Sequence, residues 1–189
     1  KAFTSALGQS FYVENKPGAG NLIGIEAVAN APADGYTLLF VPSPLVLNPI
    51  LYKKVNYDPI KDFAPISLAA TAPNIFVIHP SVKANNLRDW IALGKKDASA
   101  LNYASAGVGT SPHMSMELFN YMAGIQALHV PYKGTSPAVT DLLGGQVNGM
   151  FSNALTVMPH IQSGKVRALA VSGNKRLDIL PDVPTVMEA

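Results

Sequence analysis

Residues 101–119 read LNYASAGVGTSPHMSMELF, and this stretch decides the class of fold. The apolar run that ends at Ser105 predicts a β-strand, and the periodic apolar residues after Pro112 predict a helix. Between them lie Gly107 and Gly109, with hydroxyl residues beside them. A strand that leads through a glycine-rich loop into a helix is typical of α/β proteins.

The same alternation continues along the rest of the chain. Eight strands are predicted, at Phe11–Glu14, Tyr36–Val41, Phe63–Ala70, Ile75–His79, Leu101–Ser105, Leu128–Tyr132, Val147–Asn153 and Val166–Val171. Six helices are predicted, at Leu22–Asn30, Leu45–Leu51, Leu87–Lys96, Met114–Ala123, Val139–Leu143 and Leu155–Gln162. Because Tyr36–Val41 is apolar almost throughout, it is predicted to be covered on both faces of a parallel sheet. The prediction is an α/β fold with mostly parallel sheets flanked by helices.

Composition argues against several classes of function. The chain has 189 residues, of which 14% are charged, and a net charge of +2 without a basic cluster, which disfavours nucleic-acid binding. No apolar run approaches the roughly 18 residues of a membrane span, so no direct membrane insertion is expected. There is no cysteine, and the four histidines lack metal-ligand spacing. Neither a metal site nor a cofactor is predicted.

The loop within residues 102–113 is the strongest candidate site in the sequence. Its glycines and hydroxyl residues stand between a strand end and a helix N-terminus, where free amide N–H groups and the helix dipole favour an anion. A carboxylate fits such a site without an arginine, because charge-assisted hydrogen bonds are worth about 1.5–3 kcal/mol each. The alternative is a glycine-rich turn with ordinary helix capping.

Two enzyme patterns are only partly matched. Ser105 lies in a segment that resembles the nucleophile elbow of serine hydrolases, but Tyr103 occupies the position of the first glycine. Residues 17–24, PGAGNLIG, form a loose dinucleotide fingerprint, yet no acidic residue ends the next predicted strand. A hydrolase using Ser105 therefore stays an alternative, and a dinucleotide-binding protein is disfavoured.

Successive blocks of the sequence resemble one family. From about Val13 to the last residue they are similar to signature blocks of the tripartite tricarboxylate transporter receptor family, the Bug-type periplasmic solute-binding proteins. The blocks are VENKPGAGN, ADGYTLLF, NPILYKKVNYDPIKDFAPISLAA, PNIFVIHPSV, LNYASAGVGTSPHMSMELF, HVPYKGTSPAVTDLLGGQVNGMFSN and GKVRALAVSGNKRLDILPDVPTVMEA. The pattern differs at one position. The family usually has PGAGG, whereas residues 17–21 of this chain read PGAGN, with Asn21 in place of the last glycine.

The resemblance implies a two-lobe periplasmic-binding-protein-like fold and a function that is not enzymatic. Lobe one would comprise residues 1–100 and 170–189, and lobe two residues 101–169. A small carboxylate would bind in the cleft between the lobes: a dicarboxylate or tricarboxylate, an acidic amino acid or an aromatic acid. The receptor would then deliver it to the membrane permease subunits of a tripartite tricarboxylate transporter. A signalling partner in place of the transporter is the remaining alternative.

The resemblance also implies where in the cell the protein is located and how much of the first lobe this sequence contains. The protein would be a periplasmic monomer whose precursor carries a signal peptide. The first lobe is expected to be incomplete at both ends, since the family has a further strand and loop before Lys1 and further lobe-one residues after Ala189.

The resemblance further implies a set of ligand-binding residues, drawn from four segments of the chain. They are Ser105, Ala106, Gly107, Gly109, Thr110 and His113 in the SAGVGTSPH block, Lys133, Gly134 and Thr135, Asn153, and Thr71, Pro73 and Asn74 from lobe one.

Overall fold

The computed structural model describes residues 2–97 and 99–189, so Lys1 and Ala98 of the predicted first lobe lie outside the described residues. The described chain forms seven α-helices and five β-strands. In chain order these are α1 (Ala2–Leu7), α2 (Leu22–Ala29), α3 (Pro44–Leu51), β1 (Asn74–Ile78), α4 (Leu87–Lys96), β2 (Asn102–Ser105), α5 (Ser111–Ala123), β3 (Leu128–Pro131), α6 (Thr135–Leu143), β4 (Gly149–Asn153), α7 (Ala154–Gln162) and β5 (Arg167–Val171).

The strands form one sheet in the order β3-β2-β4-β1-β5. Strand β2 runs parallel to both of its neighbours, β3 and β4. Strand β1 runs antiparallel to β4 and β5, which makes it the one reversed strand of the described sheet. The carboxyl ends of β2 and β4 therefore meet the amino end of β1 at the same edge.

Alternating side chains supply a hydrophobic core on each face of the sheet. On one face Phe76 packs against Trp90 of α4 and Phe151 of β4, with ring centroids 5.0 Å apart in both pairs. Ile75 and Val77, the neighbours of Phe76 along β1, belong to the core on the other face. Because residues one apart in a strand point to opposite faces, a sheet with two covered faces needs this nearly continuous apolar sequence.

Five predicted strands and all six predicted helices are confirmed within a few residues at their ends. The predicted strands Phe11–Glu14, Tyr36–Val41 and Phe63–Ala70 are wrong, because no strand forms there in the described chain. An extended segment becomes a strand only when a neighbour accepts and donates its ladder hydrogen bonds. These segments have no such partner among the described residues, and Tyr36 is 91% exposed rather than covered.

The single sheet draws on both predicted lobes. Strand β1, from the predicted first lobe, pairs along its whole length with β4, from the predicted second lobe. Strand β5 crosses the predicted boundary between residues 169 and 170. The division into residues 1–100 with 170–189 and residues 101–169 stays a prediction.

Among residues 2–97 and 99–189, no helix has both the length and the apolar character that crossing a membrane requires. Within the same ranges, no group of three or more His, Asp or Glu side chains is placed to hold a metal ion.

Candidate functional site

Polar side chains gather where β2 and β4 end and β1 begins. Ser105 ends β2, Asn153 ends β4, and Asn74 begins β1 directly opposite Asn153 in the ladder. Ser172, which follows β5, lies at the same edge, and its hydroxyl oxygen accepts a hydrogen bond from the Asn74 N–H at 2.8 Å. In α/β sheets, ligands bind outside the carboxyl ends of the parallel strands. This edge is the candidate site.

The glycine-rich loop after β2 turns the chain into α5 within five residues. Gly107 has φ 127° and Gly109 has φ 78°, conformations that side chains other than glycine rarely adopt. The Gly107 N–H donates to Ser105 Oγ at 3.1 Å, and Thr110 Oγ1 donates to the Gly107 carbonyl at 2.6 Å. The buried hydroxyls of Ser105 and Thr110, both predicted to bind ligand, therefore bond the loop's own backbone.

The turn leaves several backbone donors of the loop unused. The N–H groups of Ala106, Val108 and Ser111 donate no hydrogen bond to any residue that the structure describes. Ser111 begins a helix of 13 residues, so its N–H lies at the positive end of a helix dipole. Together these groups can bind an anion such as a carboxylate.

The other predicted residues lie around this loop in different roles. The Gly134 N–H donates to the Ala106 carbonyl at 3.2 Å, which ties the loop after β3 to the glycine-rich loop. Lys133 is exposed, and Thr135 begins α6. The Asn74 side chain donates to the hydroxyls of Ser111 at 2.8 Å and Ser115 at 3.1 Å, so it steadies the first turns of α5.

Asn153 caps α7, because its Oδ1 accepts from the Thr156 N–H at 3.1 Å. Thr71 is exposed and Pro73 is half-buried, in the segment that leads into β1. The structure thus brings the predicted residues to one edge of the sheet, while their contact with a ligand stays a prediction.

A second glycine-rich loop, residues 17–21, packs against the loop after β2. A Cβ on Gly20 would lie 2.2 Å from the Val108 carbonyl oxygen, so only glycine allows this approach. The buried Asn48 of α3 holds the contact, since its Nδ2 donates to the Gly20 carbonyl at 3.1 Å. Asn21, the departure from the family pattern, has φ 69° at the start of α2, and asparagine tolerates this conformation better than most residues.

Two histidines complete the site, and sequence reasoning missed one of them. His129 Nε2 lies 2.7 Å from Ser105 Oγ, and His113 Nδ1 accepts from the Gly109 N–H at 3.2 Å. The two rings stack with centroids 4.2 Å apart. His129 stands alone in its strand in the sequence, and only the parallel pairing of β2 with β3 brings it to Ser105.

Burial keeps both rings neutral at pH 7. It lowers the pKa of His129 to about 4, an effect that a proton on His113 would increase and that the carboxylate of Glu117 opposes. Burial also lowers the pKa of His113, again opposed by Glu117. The neutral His113 can accept the Gly109 N–H, which its protonated Nδ1 could not.

The serine and histidine are not arranged for nucleophilic catalysis. Ser105 is fully buried, and its Oγ already accepts from the Gly107 N–H. Asp141, which could have oriented a histidine, instead accepts from the Tyr132 hydroxyl at 2.6 Å. The site therefore has the features of a binding site built mainly from backbone.

Unpaired amides at such a sheet edge are typical of α/β proteins that bind an anionic ligand. A family model described as the tripartite tricarboxylate transporter family receptor matches residues 1–189. The chain belongs to this family, as the sequence blocks indicated. The family consists of solute-binding receptors and not of enzymes, which removes support for the hydrolase alternative.

Three solved structures show what this chain is similar to. The periplasmic binding protein BugD is 38% identical with a TM-score of 0.92, over 98% of this chain and 62% of its own. A Rhodopseudomonas palustris protein solved with adipate is 34% identical with a TM-score of 0.94, over 99% of this chain and 63% of its own. MatC from Rhodopseudomonas palustris, solved with bound malate, is 31% identical with a TM-score of 0.89, over 99% of this chain and 64% of its own. This chain spans less than two thirds of the length of each.

The contact between the two glycine-rich loops can be tested by a matched pair of variants. Gly20 and Gly164 both have left-handed φ angles, of 59° and 69°, but a Cβ on Gly164 would meet nothing within 4 Å. We expect Gly164→Ala to cost about 1 kcal/mol of unfolding free energy through backbone strain alone. Gly20→Ala should cost roughly 1–3 kcal/mol more, because the new Cβ meets the Val108 carbonyl. Urea denaturation measures both, and equal losses would contradict the packing of the loops.

The lowered pKa of His129 predicts an acid-sensitive fold. Between its ordinary value of 6.5 and about 4, the unfolded chain binds a proton at this residue and the folded chain does not. Stability contributed by the neutral ring is therefore lost as the pH falls through this window. Thermal unfolding from pH 7.5 to pH 4 should show a smaller loss for His129→Gln than for the wild type. Identical pH profiles would mean that His129 is protonated equally well in both states.

Proposed function

We propose that the protein is a periplasmic receptor that binds a small dicarboxylate at the glycine-rich loop after β2. In this proposal it delivers the ligand to the membrane subunits of a tripartite tricarboxylate transporter. The observation that carries the proposal is the set of unused N–H groups at Ala106, Val108 and Ser111, next to the start of α5. Such groups recognise one carboxylate of a ligand through its charge.

Lys133 supports a ligand with a second carboxylate. It lies on the loop that the Gly134 N–H ties to Ala106, and it is exposed. Its ammonium group makes no ion pair with a described residue. We propose that Lys133 faces the far carboxylate, with Thr135 and Asn153 on the same side of the cleft. The adipate and malate bound to two structural relatives are both dicarboxylates.

The periplasmic location and the transporter partner rest on family membership. The matching family model is named for the receptor of a tripartite tricarboxylate transporter. BugD, which is similar over nearly all of this chain, is described as a periplasmic binding protein. A receptor of this kind captures its ligand and passes it on without chemical change.

A thermal-shift screen tests the proposal. The protein, expressed from its complete gene, is heated with malate, adipate, a tricarboxylate, an acidic amino acid and an aromatic acid. A ligand at 100 times its dissociation constant should add about 2.7 kcal/mol to the stability, or roughly 5–10 °C in Tm. Adipamide, which has the length of adipate without its charges, is the matched control and should give no shift. Equal shifts with adipamide and adipate, or no shift with any acid, would contradict carboxylate binding.

A further inference from the structure

Three aromatic rings form a stack beneath the glycine-rich loop. The ring of Tyr103 from β2 lies on that of His129 from β3, with centroids 4.8 Å apart and planes at 15°. His113 from α5 lies 4.2 Å from His129 by centroid, with planes at 27°. The three rings come from β2, β3 and α5, and the glycine-rich loop joins two of these elements, β2 and α5. The stacking therefore fixes the positions of the two imidazoles relative to the loop.

Each imidazole holds one of the two glycines that turn the loop. His113 accepts directly from the Gly109 N–H at 3.2 Å. His129 bonds Ser105 Oγ at 2.7 Å, and the same oxygen accepts from the Gly107 N–H at 3.1 Å. These bonds use the N–H groups of the glycines and leave those of Ala106, Val108 and Ser111 unused.

We propose that His113 and His129 are positioning residues, which hold Gly107 and Gly109 so that the neighbouring N–H groups converge on a carboxylate. This inference rests on the proposed function. It differs from the prediction that His113 binds the ligand itself, since here both rings act through the loop backbone.

Burial favours the neutral form of the pair, although the neighbouring carboxylate opposes it. Tyr103 of β2 donates its hydroxyl to Glu117 of α5, so the carboxylate of Glu117 already has a partner. Glu117 favours protonation of both rings, but burial outweighs it and lowers the pKa of each. Protonated His113 would turn an N–H toward the Gly109 N–H, and the loop would lose that bond. Carboxylate affinity should accordingly fall when His113 is protonated.

Two pairs of variants separate hydrogen bonding from packing. His113→Asn places an amide oxygen near the position of Nδ1, whereas His113→Leu removes the acceptor. His129→Gln keeps a partner for Ser105, whereas His129→Leu does not. His160→Leu is the control, because the His160 ring makes no hydrogen bond with a described residue. All five variants are made in the protein expressed from its complete gene, and circular dichroism checks that they fold.

Two readouts are compared. In the ligand-free protein, the NMR amide resonances of Gly107 and Gly109 report the loop directly. We expect the Gly109 resonance to move in His113→Leu, to stay close to wild type in His113→Asn, and to titrate with pH only in proteins that keep His113. By calorimetry with malate and adipate at pH 7.5, the leucine variants of His113 and His129 should each bind about tenfold more weakly. The amide variants should lie within about threefold of wild type.

The outcomes distinguish this inference from the proposed function. Wild-type protein that binds neither malate nor adipate would overturn the proposed function, and the positioning role with it. Wild-type binding that the leucine variants retain in full would overturn the positioning role alone. Equal weakening by the leucine and amide variants would also overturn it, because the rings would then matter for packing and not as hydrogen-bond acceptors.

Discussion

The turn from β2 into α5 is the constraint on which the site depends. Gly107 and Gly109 adopt left-handed backbone angles, so the chain reverses direction in the few residues between Ser105 and Ser111. A longer connection could satisfy its amides internally, whereas this short one leaves donors unused beside a helix N-terminus. The fold thus offers backbone hydrogen-bond donors to the proposed anion, with no need for an arginine.

Contacts from the sheet and from a second glycine-rich loop hold this turn in place. Its two faces are covered by separate cores, and the reversed strand β1 brings Asn74 across to α5. The loop at residues 17–21 closes on the turn from outside the sheet, with Asn48 bonded to the Gly20 carbonyl. The amide groups of Asn74 and Asn48 and the backbone of residues 17–21 therefore hold the turn and its helix in place.

Local sequence signals predicted much of this architecture. The strand ending at Ser105, its glycine-rich loop and the helix that follows were all predicted, because apolar periodicity and glycine act over a few residues. The strand predicted at Tyr36–Val41 was wrong for the opposite reason. A strand depends on a partner that periodicity does not reveal, and among the described residues this segment has none.

Among the site residues, too, local position could be predicted from the sequence, whereas contacts between distant segments could not. Ser105 and Thr110 were predicted to bind the ligand, yet their hydroxyls bond the backbone of the loop, which no spacing rule shows. His129 was missed, because its contact with Ser105 spans 24 residues and arises only from the pairing of two strands. The contact of Gly20 with Val108 likewise depends on how separate segments pack.

Carboxylate binding at the loop after β2 is tested most directly by a crystal structure of the protein, expressed from its complete gene, with malate or adipate bound. We expect a carboxylate whose oxygens lie about 3 Å from the N–H groups of Val108 and Ser111. The side chains of Ser105 and His129 should keep their mutual hydrogen bond in that complex. A ligand bound elsewhere, with the loop after β2 free of any carboxylate, would show that the unused N–H groups of this loop are not the binding site.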